Sequence, residues 1–171
     1  MVLDRIAVSC ILFTVLLIYS LQFGKERCFV ITPKNGLTDW AVVIIPLEPN
    51  GKTILVSDPF KPDPVYWKFA GGKKKGEETV LQTAIRELWE ETGIKVVETD
   101  LKLIAEVDKS WHKKPHTVFA FKVGVGNYDR LLKFGNETKS TTLEVRLFEV
   151  GNISAMKDFF PPHRAYLKMV T

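Results

Sequence analysis

The sequence predicts an α+β fold, a mixed β-sheet with helices packed on it. Three observations point there: short apolar runs separated by turn residues, one well-bounded amphipathic helix near the middle, and a return to strand-like and then helical patterns after it. With 171 residues, 46% hydrophobic and 26% charged, the chain has enough apolar material for a real core. That composition excludes a disordered tail protein.

The N-terminal segment stands apart from this pattern. Ile6 to Phe23 (IAVSCILFTVLLIYSLQF) is an uncharged run of 18 residues. As a helix it would reach roughly 27 Å, close to the hydrocarbon thickness of a bilayer. Three readings compete: an uncleaved membrane anchor, a cleavable signal peptide, and a helix buried against the domain or a partner. The anchor is preferred, because such runs are rarer in small soluble domains, and no clear small-x-small cleavage site ends this one. Arg5 on one side against Lys25 and Arg27 on the other leads us to expect the bulk of the chain to be cytoplasmic, anchored or not. Residues 1–27 are therefore expected to be a hydrophobic segment, and 28–171 the folded domain. Cys10 and Cys28 show no metal-ligand spacing and read as reduced thiols.

Trp40 to Leu47 and Thr53 to Ser57 read as the strands of a hairpin, with Glu48, Pro49, Asn50 and Gly51 as the turn. Asp58 to Pro64 is a proline-rich loop, and Tyr66 to Ala70 a short extended stretch running into Gly71 and Gly72. Thr79 to Thr92 is the clearest helix. Thr79 with Gln82 three residues later forms a capping-box pattern, and Gly93 stands at the C-terminal cap. Leu101 to Val107, His116 to Val123 and Leu143 to Val150 follow as strands. Ile153 to Phe159 and Pro162 to Met169 are expected to be helical, divided by Pro161 and Pro162.

The central helix carries the chemistry. Leu81, Ala84, Ile85, Leu88 and Thr92 form the stripe expected to face the sheet, and Glu87, Glu90 and Glu91 gather on another face. Glu87 and Glu91 repel one another across a single turn, near the helix end that disfavours negative charge. A solvated acidic face, eased by an Arg86–Glu90 pair, explains this spacing. So does a hard divalent cation, since Mg²⁺ takes carboxylate oxygens and is often shared with phosphates. Just before the helix, Gly71 to Glu78 is a glycine-punctuated basic loop suited to close approach of an anionic ligand. Together they suggest phosphate on one side and metal on the other.

Gly72 to Ile94 reads GKKKGEETVLQTAIRELWEETGI. It resembles the Nudix box of the Nudix hydrolase family, with Gly72, Glu78, Arg86, Glu87, Leu88, Glu90, Glu91, Gly93 and Ile94 filling all nine specified positions over 23 residues. A looser resemblance runs from about Arg27 to Thr171, including Tyr66 to Gly72 and the Phe160 to Arg164 segment. Ala70 departs from it, standing where many members have proline.

The resemblance implies a Nudix-type α/β/α sandwich and Mg²⁺-dependent hydrolysis of a phosphoanhydride bond in a nucleoside diphosphate linked to another moiety. Mn²⁺ is the implied substitute metal. Glu87, Glu90 and Glu91, with the backbone carbonyl of Gly72, would hold the metal, Glu78 would support its shell, and Arg86 would orient the carboxylates. The general base would be Glu87 or a later glutamate, Glu137 or Glu144, of which Glu144 is preferred. Lys73, Lys74 and Lys75 are candidates for substrate phosphates, against a reading as solvated loop lysines. Trp67, Tyr66 and Trp111 are candidate base-stacking surfaces, against a reading as core aromatics. His112, His116 and His163 are too scattered to assign. An RNA 5′ end remains an alternative substrate, and a non-catalytic nucleotide-binding regulatory module an alternative role. Prenyl diphosphate isomerisation is disfavoured, because both cysteines precede the catalytic region.

Overall fold

Alternating burial along one central strand sorts the core into two halves. In the computed structural model, which describes residues 31–60, 64–126 and 143–171, strand β1 (Trp40–Leu47) sends Val42 and Ile44 to one face and Val43 and Ile45 to the other. A five-stranded sheet surrounds it: β2 (Lys52–Ser57), β3 (Leu101–Asp108), β4 (Thr117–Gly124) and β5 (Glu144–Glu149), in the order β3-β4-β1-β2-β5. Only β1 and β4 run parallel, so the sheet is mixed. The strands flanked by cover on both faces are the apolar ones, β1, β2 and β4.

Helix α1 (Val80–Thr92) covers one face, where Val80, Ala84 and Leu88 pack with Val42, Ile44, Phe119 and Phe121. Two short helices, α2 (Val150–Ile153) and α3 (Arg164–Leu167), contribute to the other core with Phe69 and Phe159. The described residues thus form three layers with few helical turns on the second face.

The expected helix at Ile153 to Phe159 does not form. Helix α2 stops at Ile153, and the chain extends so that Trp67 N–H donates to Asp158 O at 2.8 Å and Phe160 N–H to Trp67 O at 2.9 Å. Phe160 precedes a proline, which disfavours helical backbone there. The cysteines and the apolar run at residues 6–23 lie outside the described residues. Among the described residues, no helix is long and apolar enough to cross a membrane.

The feature that positions the site is the opening of the β1/β2 hairpin. Its strands are paired at Leu47 and Thr53 near the turn, then diverge. Residues 68–73 fill the gap: Ile44 N–H donates to Ala70 O and Val42 N–H to Gly72 O, both at 2.8 Å, while Lys68 exchanges two bonds of 2.9 Å with Val56. The extended stretch read at Tyr66 to Ala70 is therefore sheet-bonded at its end, which fixes the backbone of Gly71 and Gly72 beside α1.

Candidate functional site

Helix α1 begins and ends where its caps dictate. Thr79 Oγ1 accepts from Gln82 N–H, the Gln82 side chain accepts from Thr79 N–H, and Gly93 takes φ 75° with its N–H bonded to Trp89 O. With the register fixed, the buried face is Val80, Thr83, Ala84, Glu87, Leu88 and Thr92. The expected stripe is shifted: Leu81 and Ile85 are only half-buried, and Glu87 lies on the inner face at 8% exposure. A carboxylate there needs a partner and room.

Room comes from Gly72. A Cβ at this position would collide with the Glu87 carboxylate. At Gly71, which has φ 155°, a Cβ would collide with the Val42 carbonyl oxygen. The two glycines thus allow one tight approach to a side chain and one to backbone.

Partnership comes from Arg86. Its Nε and Nη2 reach the two oxygens of Glu78 at 2.5 and 2.9 Å, its Nη1 reaches Glu87 Oε1 at 2.7 Å and Glu90 Oε2 at 3.0 Å, and its Nη2 also donates to Lys73 O. All of these side chains are largely covered, so the ion pairs are stronger than surface pairs. The Arg86 guanidinium holds the Glu78 carboxyl below its usual range, outweighing partial burial, helped by the Lys75 N–H. Its own pKa is driven up by the same contact. For Glu90, burial pushes the pKa up, but bonds from Lys75 Nζ at 3.0 Å and from Arg86 pull it below the ordinary value.

Glu91 stands in a different environment. Burial pushes its pKa up, opposed by Lys68 Nζ at 3.0 Å and by the Gly71 N–H at 2.8 Å. Lys68, the residue that begins the inserted segment, was not singled out by sequence, because a lone lysine in an extended stretch carries no pattern.

The other candidates separate. Lys75 binds Glu90, while Lys74 lies over the Trp40 ring at 4.3 Å, leaving Lys73 of the three to line a large cavity. Trp67 packs on Phe148, ring centroids 5.0 Å apart, with Arg146 at 5.1 Å; its neighbour Tyr66 lines the cavity instead. Glu144 starts the edge strand β5 opposite Ser57 and pairs with Arg146 at 2.9 Å, with no bond to the Arg86 group. Glu137 lies outside the described residues. His163 is buried and accepts from Phe69 N–H at 3.1 Å through Nδ1. Its pKa is lowered to about 3 by burial and by Lys68.

Four carboxylates and the Gly72 carbonyl offer a hard, all-oxygen donor set, which fits Mg²⁺ or Mn²⁺ and not a thiophilic metal. The buried Glu87 carboxylate, seated where a glycine leaves space, is the donor most firmly placed. In their cation-paired arrangement, no three acidic groups among the described residues converge on one point. The Lys75 contact to Glu90 comes from a side chain 62% exposed, so a divalent ion would displace it at little cost.

Comparison with known proteins adds to this geometry. A family model described as NUDIX domain matches residues 37–169. Among solved structures, a MutT from work on Aliivibrio salmonicida and Vibrio cholerae is 16% identical with a TM-score of 0.59, covering 77% of this chain and 95% of that one. The MutT protein of Methanosarcina mazei Go1 is 18% identical with a TM-score of 0.55, covering 75% and 89%. The E. coli ORF135 protein is 21% identical with a TM-score of 0.53, covering 77% and 87%. At these identities the likeness is one of fold. No curated protein matches the chain.

Proposed function

The chain belongs to the Nudix family, and on that premise we propose that it is a divalent-metal-dependent hydrolase of a phosphoanhydride bond in a nucleoside diphosphate linked to another moiety. One observation carries the reading. Arg86 gathers Glu78, Glu87 and Glu90 beside Gly72, and Gly72 itself lines a cavity of about 960 Å³. A carboxylate cluster at the edge of a ligand-sized cavity supports metal-assisted chemistry on a bound anion more than it supports a solvated acidic face.

Glu87, Glu90 and Glu91, with the Gly72 carbonyl, are the residues that would hold Mg²⁺, and Glu78 would support them. When bound, the metal supplies charge stabilisation at phosphorus and a water acidified toward neutral pH. The chain's own residues do the rest. Arg86 keeps three carboxylates oriented, and the Gly71 N–H and Lys68 favour the charged form of Glu91 against the upward push of its burial. Lys73, on the cavity wall, is placed to meet a substrate phosphate. Glu87, held at the site by Arg86, is one candidate base, and Glu144, paired with Arg146 at the start of β5, is the other.

The test is product analysis with Mg²⁺ over nucleoside triphosphates, dinucleoside polyphosphates, ADP-ribose, nucleotide sugars and triphosphorylated RNA, with Glu90→Gln alongside. We expect turnover of at least one substrate and its near-complete loss in the folded variant. Unchanged turnover in Glu90→Gln would refute the metal assignment.

A further inference from the structure

Beyond the acidic cluster, the cavity is bordered by the loop joining β3 to β4, residues 109–116. This loop contributes Lys109, Trp111, Lys113 and Lys114 to the lining, and Lys73 joins them from the glycine-rich loop. None of these four lysines has a carboxylate partner among the described residues, whereas Lys68, also on the wall, is engaged with Glu91. Asp58 is the acidic residue among the lining positions. Gathering unpaired lysines at one rim costs self-repulsion, which a bound polyanion relieves.

Trp111 is 74% exposed, unusual for so large an apolar ring in a small domain. The Lys109 ammonium lies 5.0 Å from its ring centroid, a cation–π contact that restrains the ring while leaving most of its surface free for a planar partner. A merely solvated lysine loop has no need of a tethered tryptophan at its centre. The cavity volume, about 960 Å³, stands near the top of the range for small-ligand sites, roughly 300–1,000 Å³. It exceeds what a diphosphate at the acidic cluster would fill.

We propose that Trp111, Lys113 and Lys114 form a specificity subsite that selects nucleotides bearing phosphate beyond the diphosphate that is cut, with the base stacked on Trp111. This assignment rests on the hydrolase reading above for the position of the cleaved linkage. The ligand class is a nucleoside polyphosphate: an aromatic base for the indole, and extra negative charge for the two lysines.

Equilibrium titration of ADP and of ATP, with EDTA present to prevent turnover, tests it on the full chain. Wild type should bind ATP about tenfold tighter than ADP, as expected for added charge-assisted contacts. In the Lys113→Gln/Lys114→Gln variant that preference should fall to about twofold while ADP affinity holds. Trp111→Ala should weaken both nucleotides by about tenfold, the scale of one base-stacking contact. All three positions are exposed, so the thermal midpoint should stay at the wild-type value and loss of binding cannot be laid to unfolding. An unchanged ATP-to-ADP ratio in the lysine variant, wild-type affinity in Trp111→Ala, or no nucleotide binding by wild type would overturn the subsite. Should these binding results hold while wild type turns over nothing in the Mg²⁺ panel, the hydrolase reading fails and the subsite stands only as a nucleotide-binding site with no cleaved linkage.

Discussion

Arg86 and Glu78 face each other in a two-pronged pair, Nε to Oε1 at 2.5 Å and Nη2 to Oε2 at 2.9 Å, although eight residues separate them in sequence. The pair clamps the glycine-rich loop to helix α1, because Glu78 also accepts from Lys75 N–H and Thr83 Oγ1. The remaining guanidinium nitrogen is thereby aimed at Glu87 and Glu90.

Replacing Arg86 with alanine removes the cation common to three carboxylates. We predict a loss of about 2 kcal/mol in stability, discounted from the full cost of breaking a buried pair because these groups keep some water contact. Turnover should fall about 10–100-fold, the usual cost of removing a group that orients metal ligands. Mg²⁺ should raise the melting temperature of Arg86→Ala more than that of wild type, since the ion neutralises the exposed repulsion. Equal shifts on thermal melts would show that the carboxylates do not share a metal.

The two neighbouring glycines should behave differently. In Gly72→Ala the new Cβ meets the end of the Glu87 side chain, which can swing away. Stability should change by about 1 kcal/mol or less while turnover falls about 10–100-fold, because the proposed metal donor is displaced. In Gly71→Ala the new atom meets the Val42 carbonyl, part of the sheet, and the backbone takes a φ of 155° that alanine rarely adopts. A destabilisation of about 3 kcal/mol is expected there. Urea melts with turnover measured on each folded variant separate the two outcomes.

The helix cap offers a control that touches no proposed ligand. Thr79→Ala removes the acceptor for Gln82 N–H. It should cost about 1 kcal/mol of stability and leave turnover within about twofold. A large loss of turnover would mean that the cap also tunes the adjacent Glu78.

What the sequence made legible was whatever local rules decide. Helix α1 is bounded at Thr79 and Gly93, as its capping pattern required, and β1 begins and ends where expected, at Trp40 and Leu47. What it left hidden depends on the third dimension. Burial of Glu87 follows from the absence of a side chain at Gly72, fifteen positions earlier, so helical periodicity alone put Glu87 on an outer face. Residues 68–73 enter the open hairpin through pairings with Val42, Ile44 and Val56, and those pairings bring Lys68 to Glu91. The segment after Ile153 had helical spacing, yet its backbone closes two local turns and then, at Asp158 and Phe160, bonds to Trp67. Tertiary pairing there overrode local preference. The lysine triplet looked like one feature and proved to be three, with Lys73 at the cavity, Lys74 on Trp40 and Lys75 on Glu90.

His163 gives the fold a pH dependence whose sign is fixed by its surroundings. Its ring stacks on Phe69, its Nδ1 accepts from the Phe69 N–H, and burial with Lys68 nearby lowers its pKa to about 3. The unfolded chain binds the proton with an ordinary histidine pKa near 6.5. Between those values the unfolded state holds more protons than the folded one, so stability rises with pH across the window. The contribution is complete above about pH 6.5 and is lost as pH falls toward about 3, by up to about 1.4 kcal/mol per pH unit from this residue. Carboxylates titrate in the same range, so the residue must be isolated by difference. His163→Leu leaves the Phe69 N–H without its acceptor and should be less stable at pH 7.5 by about 1–3 kcal/mol. That deficit should shrink steadily as chemical denaturation is repeated from pH 6.5 down to pH 4.5, because only the wild type pays for keeping an imidazole neutral in acid. A deficit constant over that interval would mean that the imidazole takes up its proton inside the fold, and that the pocket formed by Phe69, Phe160 and Tyr166 admits water to it.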